Sequence, residues 1–82
     1  MDLSAAIKTS FSKVLKKYRA ETGISQKELS DKAGLHRNEI GLIERKKRAP
    51  SVETIIKIAR GLEIQNREFF DEFLKDLNNN IE

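Results

Sequence analysis

Apolar positions recur at intervals of three and four along most of this chain. Ile7, Phe11, Val14, Leu15 and Tyr18 make a helical stripe, with Lys13, Lys16, Lys17 and Arg19 around it. The stripe predicts a first helix from Asp2 to Thr22, ended by Gly23, with Ile24 packed behind the turn. Leu29 and Ala33 give a second, short helix a small apolar face. Ser25 followed by Glu28 reads as a capping box, so that helix starts at Gln26. Gly34 stops it, because glycine enters the left-handed region cheaply, and Leu35 plugs the turn. Ile40 and Ile43 lie on one side of a third helix, Arg37 to about Arg45. Pro50 blocks continuation and Ser51 caps a fourth helix, whose core face is Val52, Ile55, Ile56, Ala59 and Leu62; Gly61 ends it near residue 60. Asn66 caps a fifth, about Arg67 to Leu77, beyond which Asn78, Asn79 and Asn80 are expected to fray. The pattern is all-α, with five helices.

Two features of this pattern point outward. Phe69, Phe70, Phe73, Leu74 and Leu77 cover more than one face of the fifth helix, and Ile58 lies off the stripe of the fourth. A domain this small buries only a thin core. The expectation is a homodimer through the fourth and fifth helices, about residues 55–77, with Ile58, Phe69 and Phe73 facing the second copy. The plainer alternative is a C-terminal helix folded back on the first.

Length and composition narrow the function. The 82 residues make one domain, 1–82, and contain no cysteine and one histidine, His36. No metal-ligand spacing and no base–nucleophile arrangement is present, so neither a metal, a cofactor nor an enzyme is expected. No apolar run reaches the length of a membrane span, and the start MDLSAAIK reads as ordinary helix; a cytoplasmic protein without a membrane partner is expected. There is no room for a ligand-sensing domain, so no small-molecule ligand is expected. Charge is uneven. Residues 1–60 carry 14 Lys/Arg against 7 Asp/Glu, net +7; residues 61–82 carry 2 against 6, net −4. A basic body with an acidic tail fits a polyanionic partner on one side, although a solvated charged surface explains net charge equally well.

The motif over residues 25–45 decides the partner. Two short helices across a tight turn can lay the second in the major groove of DNA, where its first turn meets base edges. The Arg37 fork matches the two acceptors of guanine, and Asn38 can pair with adenine in the same manner. Leu42 can press on a thymine methyl or fill the core. Glu39 can accept from cytosine, or act as an anion at the helix start, which is the favoured reading. Gly41 costs the helix about 1 kcal/mol relative to alanine, which implies close approach to DNA or to a neighbouring backbone. The start of the second helix, with Gln26 and Lys27, suits a phosphate. Arg45, Lys46, Lys47 and Arg48 follow the reading helix where the chain passes the phosphates, and Lys16 or Lys17 of the first helix can touch the backbone or only solvent. His36 stands at the cap position, set to cap the helix, meet solvent or touch phosphate.

The sequence resembles the Cro and phage-repressor (XRE) helix-turn-helix family from about Phe11 to Leu62. The signals are Gln26, Gly34, Ile40 and Ile43, with the stretch IERKKRAPSVETIIKIARGL. Within that family, GLHRNEIGLIERKKR is similar to controller proteins of restriction–modification systems, which often read GLHRTYI-x-x-IERGxRN. It departs at Asn38–Glu39 and at Ala49–Pro50, and Ser30 stands where the wider family prefers alanine. The resemblance implies a lambda-repressor-like fold, a Gln26 side chain on the DNA backbone, an Arg19–Glu44 ion pair tying the first helix to the third, and DNA contact by Arg48. It also implies a dimer on an inverted-repeat operator, a second dimer alongside the first, and self-regulated control of restriction-endonuclease expression. Glu28 and Asp31 would then touch RNA polymerase. The alternatives are a Cro-like repressor of a phage or toxin–antitoxin operon, and a protein-interaction module without DNA binding that relies on the fifth helix.

Overall fold

The structure, a computed structural model, describes residues 2–81. Its elements are α1 (Leu3–Thr22), α2 (Gln26–Ala33), α3 (Glu39–Glu44), α4 (Val52–Gly61) and α5 (Asn66–Ile81). Local chemistry sets most boundaries. Asp2 caps α1 by accepting from the Ala5 N–H at 2.7 Å, and Gly23 closes it in the left-handed region at φ 73°. Ser25 and Glu28 form the reciprocal capping box of α2, and Gly34 ends that helix at φ 69°. Ser51 caps α4 by accepting from the Thr54 N–H at 3.1 Å.

The core lies between α1 and α5 and beneath α2, α3 and α4. Phe11 is fully buried and meets Phe69 and Phe73 edge-to-face, each at 5.4 Å between ring centroids. Tyr18 meets Phe69 in the same way. Such contacts contribute about 0.5–1.5 kcal/mol each beyond area burial. The same packing overturns one expectation. Ile58, Phe69 and Phe73 are buried within the single chain rather than presented to a second copy. The stripe of α1 is broad enough to receive two phenylalanines of α5, and Ile58 closes the core from α4. Among the described residues, the large apolar side chains left exposed are Leu3, Val52 and Leu74.

α5 runs antiparallel along α1, and polar pairs mark the register. Tyr18 reaches Glu68 at 3.4 Å, Lys17 reaches Glu72 at 3.7 Å, and Lys13 reaches Asp76 at 3.1 Å. Asn80 donates to Ser10 Oγ at 2.6 Å. The three asparagines therefore continue the helix instead of fraying, because a residue at the far end of α5 has a partner on α1. Part of the acidic tail faces the lysines of α1. Burial, with Glu68 and Glu72 nearby, pushes the Tyr18 hydroxyl up to about 12.

α4 ends at Gly61, close to the residue 60 expected, but the left-handed conformation beyond it is taken by Glu63, at φ 60°. A Cβ at Gly61 would lie 2.9 Å from Leu29 Cδ1 and 3.2 Å from the Ala33 backbone nitrogen. The glycine is there so that α4 can lie against α2. Ser30, in the same layer, is fully buried, and its hydroxyl has no hydrogen-bond partner among the described residues.

Candidate nucleic-acid interface

α2 and α3 meet across the Gly34 turn, where Leu35 N–H donates to Ser30 O at 2.9 Å. α3 begins two residues later than the spacing predicts. Arg37 and Asn38 form a turn, not helix, with Glu39 N–H donating to His36 O at 3.0 Å. The His36 ring accepts from the Asn38 N–H through Nδ1 at 3.3 Å. His36 thus shapes the entry to α3 from two residues before the N-cap, which is Asn38. It does not hold the cap position expected of it, because the helix starts two residues later. Arg37 and Asn38 are exposed at that entry.

Below them α3 is fixed. Ile40 and Ile43 are fully buried, and Leu42 is half-buried. Glu44, 4% exposed at its side chain, takes Arg19 side-on: Nε to Oε2 at 2.6 Å and Nη2 to Oε1 at 2.8 Å. Arg19 also donates to Ile24 O at 3.1 Å, and Ser12 donates to the Glu44 carbonyl at 2.6 Å. Burial pushes the Glu44 carboxyl up, but hydrogen bonds from Arg19 and Gln26 outweigh it and hold the group below the usual range. The bond to Glu44 raises Arg19, against the opposing effect of burial. One carboxylate thereby ties α1, the start of α2 and the end of α3 together.

The Gln26 amide donates inward to Glu44 Oε1 at 2.9 Å, which gives the buried carboxylate a further donor. Lys27 is exposed and pairs with Asp31 at 3.4 Å along α2. Glu28 is engaged in the capping box, and its carboxyl is held low chiefly by the Ser25 backbone N–H. Asp31 is exposed.

The reading surface has an anion that the spacing left ambiguous. Glu39 Oε1 accepts from Arg48 Nη1 at 2.6 Å, with Glu39 15% and Arg48 55% exposed at the side chain. Arg48 is thus held against the first turn of α3. No periodic signal marks a pair nine residues apart across a loop. Gly41 is buried, and a Cβ there would lie 3.0 Å from Arg45 Nη1 and 3.3 Å from Gln26 Oε1. Within the chain the neighbours it makes room for are side chains, so of the two expected reasons for the glycine, approach to DNA or to a neighbouring backbone, the backbone one does not hold.

The chain then reverses at Lys46, in the left-handed region at φ 63°, while Lys47 N–H donates back to Leu42 O at 2.9 Å. Lys46 shares a shallow groove with Thr9, Ser12, Lys13 and Lys16 of α1. Of the two α1 lysines proposed for phosphate contact, Lys16 lines this groove, whereas Lys17 faces Glu72 of α5. Arg37, Arg45, Lys46 and Lys47 are exposed around α3, together with the paired Arg48. Among the described residues no group of three or more His, Cys, Asp or Glu is placed to hold a metal ion. No described helix is long and apolar enough to cross a membrane.

Known proteins share this arrangement. The family model described as helix-turn-helix matches residues 15–68. Control protein C.SmaI of Serratia marcescens is 38% identical over 56 residues, covering 68% of this chain and 67% of that protein. The crystal structure of the wild-type restriction–modification controller protein C.Esp1396I superposes with a TM-score of 0.78 at 32% identity, covering 96% of this chain and 97% of that one. C.Esp1396I bound to a 19-base-pair DNA duplex superposes with a TM-score of 0.77 at 32% identity, covering 94% and 97% of the two chains.

Proposed function

This chain belongs to the helix-turn-helix family, with restriction–modification controller proteins among its relatives, and on that premise we propose how it works as a DNA-binding transcription regulator. The supporting observation is the division of α3. Its inner face is locked to α1 and α2 through Ile40, Ile43 and Glu44, while Arg37 and Asn38 stand exposed at its entry. A reading helix needs that combination, because side chains on a rigid support lose less freedom on binding.

In this reading double-stranded DNA meets α3 in its major groove. Arg37 and Asn38 address base edges, with Leu42 one turn on, partly covered by the fold. Phosphates are met by the exposed amide ends at the start of α2 with Lys27, by Arg45 and Lys46, and by the loop that carries Arg48. Gln26 contributes by holding Glu44, and His36 by shaping the turn.

The regulator acts as a homodimer on an inverted repeat, with reading helices about one DNA turn, roughly 34 Å, apart. With Ile58, Phe69 and Phe73 buried, the apolar groups left for the contact on α4 and α5, among the described residues, are Val52, 65% exposed, Leu74, 47% exposed, and the half-buried Ile56 and Phe70. A second dimer beside the first would let the protein control its own promoter in proportion to its concentration. Asp31, exposed on α2, is the better candidate for touching RNA polymerase, since Glu28 is committed to the capping box.

The test is a gel-shift titration on DNA from immediately upstream of the gene, with excess competitor, for the wild-type chain and Arg37→Glu. The expected result is a discrete complex that survives competitor and is lost in the variant, with unchanged sedimentation. Equal binding to all duplexes, or an unaffected variant, overturns the reading.

A further inference from the structure

We propose that Glu39 is a specificity-determining residue, which with Arg48 forms a joined reader for one G·C pair and makes other duplexes costly to bind. The inference rests on the DNA-binding reading above. The observation is the 2.6 Å bond from Arg48 Nη1 to Glu39 Oε1 at the first turn of α3, beside the exposed Arg37 and Asn38. The carboxylate is mostly covered, whereas the guanidinium is more than half exposed.

Three physical consequences follow. First, the joined pair carries no net charge, so Arg48 adds little to the general attraction of phosphates while the bond persists. Secondly, approach of DNA removes water from a carboxylate lying among phosphates. A duplex that pulls Arg48 away without replacing it leaves that carboxylate desolvated and unpaired, which is a strong penalty. Thirdly, the major-groove edge of a G·C pair complements a carboxylate beside a guanidinium. Guanine offers two acceptors, N7 and O6, to the arginine fork, and cytosine offers its N4 amino group to the carboxylate. The two side chains can therefore stay together, with Arg48 using donors that Glu39 does not occupy.

Glu39 acts on discrimination more than on affinity. Replacing it with glutamine removes the negative charge and frees Arg48 for any phosphate. Glu39→Gln should bind unrelated duplexes more tightly, with a steeper salt dependence by about one unit of slope. Preference for the G·C pair at one position of each half-site should fall by about ten-fold or more. Arg48→Lys keeps the charge but loses the fork, and should lose the same preference.

The experiment selects duplexes bound by the wild-type chain from a pool randomised over about two helical turns. The selected duplex, its single-position variants and a scrambled duplex are then titrated with wild type, Glu39→Gln and Arg48→Lys at several salt concentrations. Thermal melting confirms that both variants fold. Loss of one shared G·C preference in both variants, with tighter scrambled binding by Glu39→Gln, supports the proposal. Variants that keep the wild-type preference at every position overturn it, as does Arg48→Lys behaving like wild type. If the wild-type chain selects no sequence, the DNA-reading proposal itself falls, and that outcome is visible before either variant is tested.

Discussion

Arg19 and Glu44 meet side-on, through two parallel hydrogen bonds of 2.6 and 2.8 Å, at the point where α1 crosses the end of α3. The carboxylate is almost sealed from water and the guanidinium is about three-quarters covered. The pair therefore decides how α3 sits on the body, although it touches no base.

Its two halves should not be equivalent on removal. Arg19→Ala leaves a buried carboxylate with only Gln26 as side-chain donor, and should destabilise the chain by about 3 kcal/mol or more. Glu44→Ala leaves an arginine that retains its bond to Ile24 O and some access to water, so its cost should be smaller. The double substitution should cost less than the sum, since neither charge is left behind. Urea unfolding of the four proteins measures all three quantities. Equal single-variant costs would contradict the burial asymmetry on which the argument rests.

Acid should weaken the same junction. The Glu44 carboxyl is held below its ordinary value of 4.5 in the folded chain, so the unfolded chain binds more protons between the two values. Stability from this group is then complete above the unfolded value and is lost as pH falls through the folded one. Glu28 is shifted in the same direction at an exposed site and adds to the same window. Unfolding free energy measured from pH 7 down to pH 3 should therefore decline at the acid end. Glu44→Gln should flatten part of that decline, and Glu28→Gln another part.

Gly61→Ala tests the contact between α2 and α4. Alanine normally favours a helix over glycine by about 1 kcal/mol. Here the added methyl would press on Leu29 and on the Ala33 backbone nitrogen, at 2.9 and 3.2 Å. Backbone cannot step aside, so a net loss of about 1–3 kcal/mol is expected. Gly41→Ala is the control. Its neighbours are the ends of the Arg45 and Gln26 side chains, of which Arg45 is free to swing out, and its cost should be lower. Melting temperatures of the two variants check the order.

Much of this was legible in the order of residues because it is local or periodic. The capping box at Ser25 and Glu28, the left-handed Gly23 and Gly34, and the buried faces of α1 and α3 all follow from short-range rules. The Arg19–Glu44 pair was expected from resemblance, since 25 residues separate its members and no local rule joins them. What escaped was set by packing. Phe69 and Phe73 read as surplus until Phe11 is seen to receive them both edge-on. Asn80 reads as a frayed end until Ser10 is placed beside it. Gly61 reads only as a helix end, and its close approach to Leu29 and Ala33 shows only once α2 is laid beside it. The inward bond of Gln26 escaped for a comparable reason: its partner, Glu44, lies 18 residues away and is brought there by packing.

Lys46 allows stability and DNA attraction to be separated at one position. Its φ of 63° lies in the region that a side chain enters at a cost of about 1–2 kcal/mol. Glycine relieves that strain but loses about 0.5–1 kcal/mol of its own through the freedom of the unfolded chain. Lys46→Gly should therefore be more stable than wild type by up to about 1 kcal/mol. The lysine also lies beside Lys16 in the groove next to α3, so its removal should make DNA binding less dependent on salt by about one unit of slope. Lys46→Ala completes the argument, because it removes the charge and keeps the strain. It should show the change in slope without the gain in stability, read by salt titration of binding and by urea unfolding. A stability gain shared by both variants would place the effect in charge repulsion around Lys16 rather than in the backbone.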